Sequence, residues 1–169
     1  MIDITRLSSH YITRILDESD VDKILEVCQQ NTLFYEYTEA RPTSEQIQDD
    51  MKLTPSGIDL SAKYFFGFFA DQDLVAVMDL IDEYPKPEIA YIGFFMVNQA
   101  YQGKQIGTTI IDEVVVYLRT IGKTVVRLAI DKGNPQYTHF WKKNGFEIIS
   151  EADVNGWIKP VAERLLASR

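Results

Sequence analysis

In residues 97–118 the sequence passes from a strand-like stretch to an apolar-periodic one through the loop Tyr101-Gln102-Gly103-Lys104-Gln105-Ile106-Gly107. A glycine-bearing loop that leaves a strand and opens a helix directs backbone N–H groups and the positive end of the helix dipole at one point. Such a point binds anions, phosphate among them. The glycine spacing matches neither the P-loop nor the dinucleotide-binding fingerprint, so an NTPase or dinucleotide enzyme is disfavoured. Taken alone, the loop is equally consistent with a plain turn.

The composition is that of a globular protein with one core. The chain has 169 residues, of which 46% are hydrophobic and 25% charged, and we expect one domain over residues 1–169. No apolar run approaches the roughly 20 residues of a membrane helix. The first six residues lack the basic and apolar segments of a signal peptide. We therefore expect a cytoplasmic protein that does not enter the membrane.

The charge balance restricts the partners. Lys and Arg number 17 against 25 Asp and Glu, which gives a formal charge of −8. A field of that sign repels nucleic acid and anionic membranes and favours cationic small molecules or peptides, although acidity also serves solubility alone. The only histidines are His10 and His139, and the only cysteine, Cys28, falls on the apolar face of a predicted helix. No metal site is predicted.

Apolar periodicity and turn residues predict a mixed order of strands and helices. The predicted strands are residues 11–16, 63–70, 73–81, 88–97, 123–130 and 146–150, and the weaker alternation of residues 2–7 leaves a short extra strand open. The predicted helices begin near Ser19, Thr43, Ile106 and Pro135. Ser19 and Asp22 have the looser capping-box spacing at the first, and Thr43 and Gln46 have capping-box spacing at the second. The last segment, residues 157–166, is compatible with a strand or a helix.

The central elements predict the fold class. Residues 63–97 form an antiparallel meander, and the strand 88–97, the following helix and the strand 123–130 form a right-handed βαβ crossover. The crossover makes its two strands parallel. We therefore predict an α/β (α+β mixed-sheet) fold, with the loop at the carboxyl ends of the parallel strands, where such sheets bind ligands.

An aromatic segment follows the first helix. Residues 33–37 include Phe34, Tyr35 and Tyr37, which is unusual for a solvent-exposed loop. These side chains can pack under the core or line the mouth of a substrate site, and the sequence favours neither.

Two segments resemble the GNAT superfamily of acyl-CoA-dependent N-acyltransferases. One is the loop from Gln102 to Gly107, which is similar to the family's pyrophosphate loop. The other is Asn134-Pro135-Gln136-Tyr137-Thr138-His139-Phe140-Trp141-Lys142-Lys143-Asn144-Gly145-Phe146, which resembles a family helix with an Asn-Pro start and a Gly-Phe end. They occur in the family's order, separated by the expected helix and strand. The resemblance covers residues 11–165 and implies a GNAT-like fold whose crossover forms a coenzyme A cleft.

The resemblance implies acetyl-CoA as cofactor. Loop N–H groups and the Thr108 hydroxyl would hold the pyrophosphate, and the strand before the loop would pair with pantetheine. Lys104 would add charge at the rim or stay solvated. The implied cofactor-binding residues are Phe95, Met96, Val97, Gln102, Gly103, Lys104, Gln105, Ile106, Gly107, Thr108, Asn134, Phe140 and Trp141.

The sequence departs from the family at two positions. Trp141 stands where relatives often carry a catalytic tyrosine, and an indole is no acid at neutral pH. Tyr137, one turn earlier, is the remaining candidate acid, although packing is the favoured interpretation. Gln105 stands in place of a usual glycine, at a cost of about 1 kcal/mol if that residue has a positive φ.

No base is evident from the sequence. Glu88 and Asp79 are the candidates. Asp79, Asp82 and Glu83 can instead bind a cationic substrate or simply face solvent, and Phe34, Tyr35 and Tyr37 are the other candidate substrate-binding residues. A water chain would also suffice, with proximity supplying most of the rate.

The sequence therefore predicts an acetyl-CoA-dependent N-acetyltransferase that acts on a primary amine of a small molecule or peptide by direct attack in a ternary complex. The expected partner is a cationic amine, not nucleic acid or membrane, and a homodimer is left open. The alternatives are a catalytically silent coenzyme A or acyl-CoA binding module, acting as sensor or partner domain, and an interaction protein that uses residues 33–37.

Overall fold

A seven-stranded mixed sheet organises the computed structural model, which describes residues 1–31, 42–130, 135–154 and 156–166. The strand order is β1-β2-β3-β4-β5-β7-β6. The strands are β1 Ile12–Ile15, β2 Lys63–Ala70, β3 Asp73–Ile81, β4 Ile89–Val97, β5 Val125–Ala129, β6 Glu147–Val154 and β7 Trp157–Leu165. Within these described ranges, only β4 and β5 pair in parallel, as a βαβ crossover requires. The predicted fold class is confirmed.

Helices cover both faces of the sheet. They are α1 Val21–Gln30, α2 Ser44–Asp50, α3 Ile106–Thr120 and α4 Pro135–Lys143. The apolar stripe of α3 and Trp141 of α4 pack with Phe66, Met78 and other side chains on one face. Those of α1 and α2 pack with Phe65, Val77 and others on the opposite face. The interior strand β3 is therefore buried almost throughout, which explains its nearly continuous apolar sequence.

A bulge in β4 separates it from β5. Asp79 of β3 lies opposite Phe94, whereas Leu80 lies opposite Ile92, so Gly93 is the extra residue in β4. The pairing of β4 with β5 covers only Ile89 to Ile92. Among the residues that the structure describes, none pairs with this edge of β4 from Gly93 to Val97, so we call it the open edge.

Local predictions at the helix starts had mixed outcomes. The capping box between Thr43 and Gln46 is confirmed at the start of α2. The box before α1 is formed by Asp17 and Asp20 around a short 3-10 turn, not by Ser19. The Asp20 side chain does not cap α1 itself. Its two carboxylate oxygens instead accept from the Arg14 guanidinium at 2.9 and 2.7 Å.

The structure decides the two terminal segments that the sequence left open, residues 2–7 and 157–166. Residues 2–7 are not a strand but contain the 3-10 turn Ile4–Arg6, because Asp3 caps the turn and Ile4 and Leu7 are buried on one side of it. The ambiguous last segment is the strand β7, which lies between β5 and β6. Within the described ranges, no helix has both the length and the apolarity needed to cross a membrane.

Candidate active site

The loop before α3 presents free backbone donors. Gly103 has φ +79° and Gln105 has φ 58° and ψ 20°, so the loop turns through two left-handed residues before the helix begins at Ile106. The Gln105 side chain does not cap the helix. The N–H groups of Ile106, Gly107 and Thr108 lie in the first turn and have no partner within the helix. This is the helix-start geometry on which the predicted anion site depends, and Gln105 does have the left-handed conformation.

The loop, β4 and α4 enclose a cavity of about 520 Å³, called here the first cavity. It brings together most of the residues expected to bind the cofactor. Those that line it are Phe95, Met96, Val97, Gln102, Gly103, Gln105, Ile106, Gly107, Thr108 and Phe140, accompanied by Tyr137. Lys104 is exposed and does not line it, and Asn134 lies outside the described residues.

Close packing at Gly107 shapes this cavity. A Cβ at Gly107 would lie 3.0 Å from Cε1 and 3.2 Å from Cζ of Phe140, and 3.4 Å from Cγ2 of Val97. A side chain here would enter the space between the helix start and the cavity wall. The absence of a side chain keeps the free N–H groups accessible, as the pyrophosphate of a coenzyme A molecule would require.

The open edge of β4 offers strand-like pairing at alternate residues. Asn98 donates its N–H to the Val75 carbonyl at 2.7 Å, so its backbone faces β3. The alternation of a strand then turns the backbone groups of Phe95 and Val97 to the open edge, and those of Met96 to β3. Pairing of a ligand with Met96, which the resemblance implied, is therefore not available to its backbone.

Side chains already hold the two carbonyls at this edge. The Tyr137 hydroxyl donates to the Phe95 carbonyl at 3.2 Å. The Gln102 side-chain amide donates to the Val97 carbonyl at 2.9 Å and to the Asn31 side chain, whose own amide donates to the Val97 carbonyl at 3.2 Å. The N–H groups of Phe95 and Val97 are the donors left for a ligand.

Trp141 lies behind the first cavity and does not line it. It is 1% exposed and packs against the rings of Phe95, Tyr137, Phe140 and Phe146. Among the described residues its indole N–H has no hydrogen-bond partner. The expectation that it forms a pocket wall is wrong because the ring fills the core between α4 and the sheet.

A second cavity, of about 630 Å³, adjoins the first along β4. Gly93 and Phe94 line it, whereas the next residues of β4, from Phe95, line the first cavity. Its other walls are α1, α2, β2, β3 and the β6–β7 hairpin, and they include Asp79. The two cavities are therefore bordered by consecutive residues of β4, next to the point where β4 leaves β5.

A buried ion pair lies in the wall of the second cavity. Lys63 Nζ donates to Asp79 Oδ2 at 2.8 Å, and the two side chains are only 2% and 12% exposed. Burial raises the pKa of Asp79 even though the Lys63 ammonium acts in the opposite direction. Asp50, at the cavity rim, also has a raised pKa, because the surrounding walls shield its carboxylate from water.

Comparison with known proteins agrees with this arrangement. The sequence model of the acetyltransferase (GNAT) family matches residues 24–146. This chain belongs to the GNAT acetyltransferase family. An uncharacterized N-acetyltransferase of Methanocaldococcus jannaschii is 31% identical over 81 residues, which are 48% of this chain and 35% of that protein. The match thus spans about a third of that relative's length.

Two solved structures show the same fold. An acetyltransferase from Thermus thermophilus superposes with a TM-score of 0.73 at 18% identity, over 91% of this chain and 96% of that one. The PaiA N-acetyltransferase from Thermoplasma acidophilum, solved in complex with coenzyme A, gives 0.65 at 21% identity, over 90% and 97%. At these identities the likeness establishes the GNAT fold.

The remaining residues predicted for catalysis or substrate binding either line neither cavity or lie outside the described residues. Glu88 is exposed just before β4 and lines neither cavity. Phe34, Tyr35 and Tyr37 lie outside the described residues. In the described part of the chain, no group of three or more His, Cys, Asp or Glu side chains is arranged to hold a metal ion.

Several residues that line the two cavities were not predicted from the sequence. Asn31, Gln136 and Lys143 line the first cavity, and Lys63 lines the second. Asn31 ends α1 and Lys63 begins β2, so nothing in the local sequence relates either residue to the loop before α3. Strand alternation places Lys63 and Phe65 on the same face of β2. It does not show that this face lies beside Asp79 of β3, because that depends on the strand register.

Proposed function

We propose that this GNAT protein is an N-acetyltransferase that binds acetyl-CoA in the first cavity. It transfers the acetyl group to a primary amine of a small molecule or peptide by direct attack in a ternary complex. One observation carries the proposal: an uncapped helix start and an open strand edge face the same cavity, so one ligand can contact both. The protein acts as one domain over residues 1–169, in the cytoplasm.

The helix start holds the pyrophosphate. The N–H groups of Ile106, Gly107 and Thr108 donate to phosphate oxygens, and the dipole of α3 adds a favourable field. Lys104, exposed beside the loop, contributes long-range attraction only. Acetyl-CoA supplies the thioester whose acetyl carbon is attacked.

The edge of β4 orients the reacting end. The N–H groups of Phe95 and Val97 point away from β3 and bind pantetheine or thioester oxygens as a neighbouring strand would. A backbone N–H held in a folded strand needs no reorganisation as negative charge develops on the thioester oxygen. The acceptor amine approaches from the second cavity, which adjoins the first at Gly93 and Phe94.

Tyr137 is the proposed acid for the departing thiolate. Its hydroxyl lies at the open edge, 3.2 Å from the Phe95 carbonyl, and the residue lines the first cavity. A phenol at this position can donate a proton within the cavity, whereas the buried indole of Trp141 cannot. This geometry supports acid catalysis over the packing role that the sequence favoured.

The second candidate function is a catalytically silent coenzyme A binding module. It is supported by Trp141, which occupies the position of the family's usual tyrosine and is buried behind the cavity. Such a protein would keep the pyrophosphate site and the strand edge but release no thiol.

Two measurements on the purified protein distinguish these candidates. Coenzyme A should raise the melting temperature in both cases, because it binds only the folded state. Release of free thiol from acetyl-CoA in the presence of a panel of primary amines is expected for the enzyme alone. Stabilisation without thiol release for any amine supports the silent module, and no stabilisation at all rejects both.

A further inference from the structure

We propose that the second cavity binds the acceptor as its ammonium ion and that the Asp79 carboxylate accepts a proton from this ion before the amine attacks. The inference rests on the proposed function, since it identifies the charge state of the acceptor and the base for the same reaction. It follows from four features of the second cavity: space, burial, charge and aromatic rings.

Space for the carboxylate exists only because β4 has a glycine at its bulge. A Cβ at Gly93 would lie 2.6 Å from Asp79 Oδ2 and 3.2 Å from Asp79 Cγ. The Asp79 carboxyl group therefore lies over the bulge, and both residues line the cavity. Along β4, only Phe94 separates Gly93 from Phe95 of the first cavity, so we expect the acceptor nitrogen to arrive close to this carboxyl group.

Burial leaves this carboxylate incompletely satisfied. Asp79 is 8% exposed, and Oδ2 accepts from Lys63. Among the described residues, Oδ1 has no hydrogen-bond partner. A buried carboxylate oxygen without a donor is costly, and a ligand N–H⁺ or a proton on the carboxyl group would relieve it.

The charges of the described cavity walls favour one added cation. Three carboxylates and two ammonium groups line the cavity, namely Asp50, Asp79, Asp153, Lys63 and Lys159. An alkylammonium ion balances the excess negative charge. Once its proton moves to Asp79, the amine and the carboxyl group are both neutral, and the remaining charges still balance.

Aromatic rings add affinity for a cation. Tyr84 and Tyr91 both line the cavity, and their rings meet edge to face with centroids 5.2 Å apart. The face of a tyrosine ring attracts an ammonium group placed over it. Burial also raises the pKa of the Tyr91 hydroxyl, so this ring stays neutral near neutral pH.

The proton transfer is chemically balanced. One N–H bond of the ammonium ion breaks and an O–H bond forms on Asp79. The neutral amine then forms the new C–N bond while the C–S bond breaks. The Tyr137 hydroxyl protonates the departing thiolate, and a second proton from nitrogen restores the phenol. Burial raises the pKa of Asp79, which makes the carboxylate a better proton acceptor than an exposed aspartate. The titratable or charged groups around it are Lys63, Asp50, Tyr84, Tyr91, Asp153 and Lys159.

Binding of butylammonium tests the site without knowledge of the natural acceptor. Butylamine hydrochloride and 1-butanol are titrated near neutral pH into protein with and without coenzyme A, and amide chemical shifts are followed. We expect saturable binding of butylammonium with shifts around Gly93, and none of butanol. Asp79→Asn should weaken binding about tenfold or more, the loss expected for one charge-assisted contact. Asp49→Asn, an exposed neighbour on α2 that does not line the cavity, makes the same change in net charge and should have no effect.

Two further variants separate this role from a structural one. Lys63→Met removes the internal cation that competes for Asp79, so it should tighten butylammonium binding although it lowers stability. The double variant Lys63→Met/Asp79→Asn leaves no unpaired buried charge and should bind weakly even if Asp79→Asn alone fails to fold.

The proposal is overturned if the wild-type protein shows no saturable butylammonium binding, or if the folded Asp79 variants bind it as tightly as the wild type. Affinity for coenzyme A is measured separately in the same samples. If the wild-type protein does not bind coenzyme A, the proposed function is rejected. Butylammonium binding can still be measured without coenzyme A, so failure of the proposed function is distinguishable from failure of this inference.

Discussion

Gly107→Glu places a carboxylate at the proposed pyrophosphate site. The Cβ of the new side chain would lie 3.0 to 3.4 Å from Phe140 and Val97, both of which line the first cavity. The Phe140 ring edge must shift by a few tenths of an ångström to make room. The carboxylate then lies in the first turn of α3, beside the N–H groups that would hold the phosphates.

The expected loss of affinity follows from Coulomb's law. Two unit charges about 4 Å apart repel by about 4 kcal/mol at an effective dielectric constant near 20. Rotation of the side chain and screening by salt reduce this, so we expect about 2 to 3 kcal/mol, or about 30- to 150-fold weaker coenzyme A binding.

Gly107→Gln is the matched control, because it has the same shape without the charge. Calorimetric titration of coenzyme A into both variants, at low and high salt, isolates the charge effect, and thermal melting verifies that both are folded. The difference between the two variants should shrink at high salt. Equal affinities of the Glu and Gln variants at low salt would refute the placement of the pyrophosphate at this helix start.

Three other substitutions test the strained loop residue Gln105, the hydrogen bonds between Glu113 and residues 8–10, and the proposed acid Tyr137. Gln105→Gly should raise the free energy of unfolding in urea by about 1 kcal/mol, because φ is 58° at Gln105; a less stable variant would show that this residue is not strained. Burial alone would raise the pKa of Glu113, but hydrogen bonds from residues 8–10 outweigh it and lower the pKa from 4.5 to about 2. The ionised Glu113 therefore contributes stability above its ordinary pKa that is lost as the pH falls towards 2, so Glu113→Gln should be less stable at neutral pH and match the wild type in acid. A constant difference across the pH range would contradict this. Tyr137→Phe should keep its coenzyme A affinity within about twofold but release thiol about tenfold to a thousandfold more slowly, and an unchanged rate would exclude Tyr137 as the acid.

The parts of the fold that were predictable depend on neighbours in the sequence. The hairpin of β2 and β3 has the predicted bounds, because β-branched and aromatic runs flank a two-residue turn, Asp71-Gln72. The start of α3 and the end of α4 were likewise predicted from glycines in the sequence. Two of these, Gly103 and Gly145, have a positive φ in the structure. The final strand β7 was not, since its sequence suits either structure and pairing with β5 and β6 decides it.

The sequence did not show which of the predicted site residues reach a cavity, because contacts across the sheet decide this. Trp141 was expected in a cavity wall, but rings of β4, of its own helix and of Phe146 bury it. Glu88 was a candidate base because it was predicted to begin the strand before the loop. It lies just before the first residue of β4, at the end away from the loop, and lines neither cavity. Asp79 lines the second cavity, but its partner Lys63 lies 16 residues away in the sequence, on β2.

Glycine spacing and helical periodicity are local properties of the chain, so the sequence was enough to predict the loop from Gln102 to Gly107, the helix that follows it and the resemblance to the GNAT family. That this loop and an open strand edge share one cavity depends on contacts between distant segments, and it became evident only in the fold. The bulge at Gly93 separates β4 from β5, and the missing Cβ at that residue leaves room for the carboxylate of Asp79 from the neighbouring strand. That contact depends on strand register, which is set by the packing of the whole sheet.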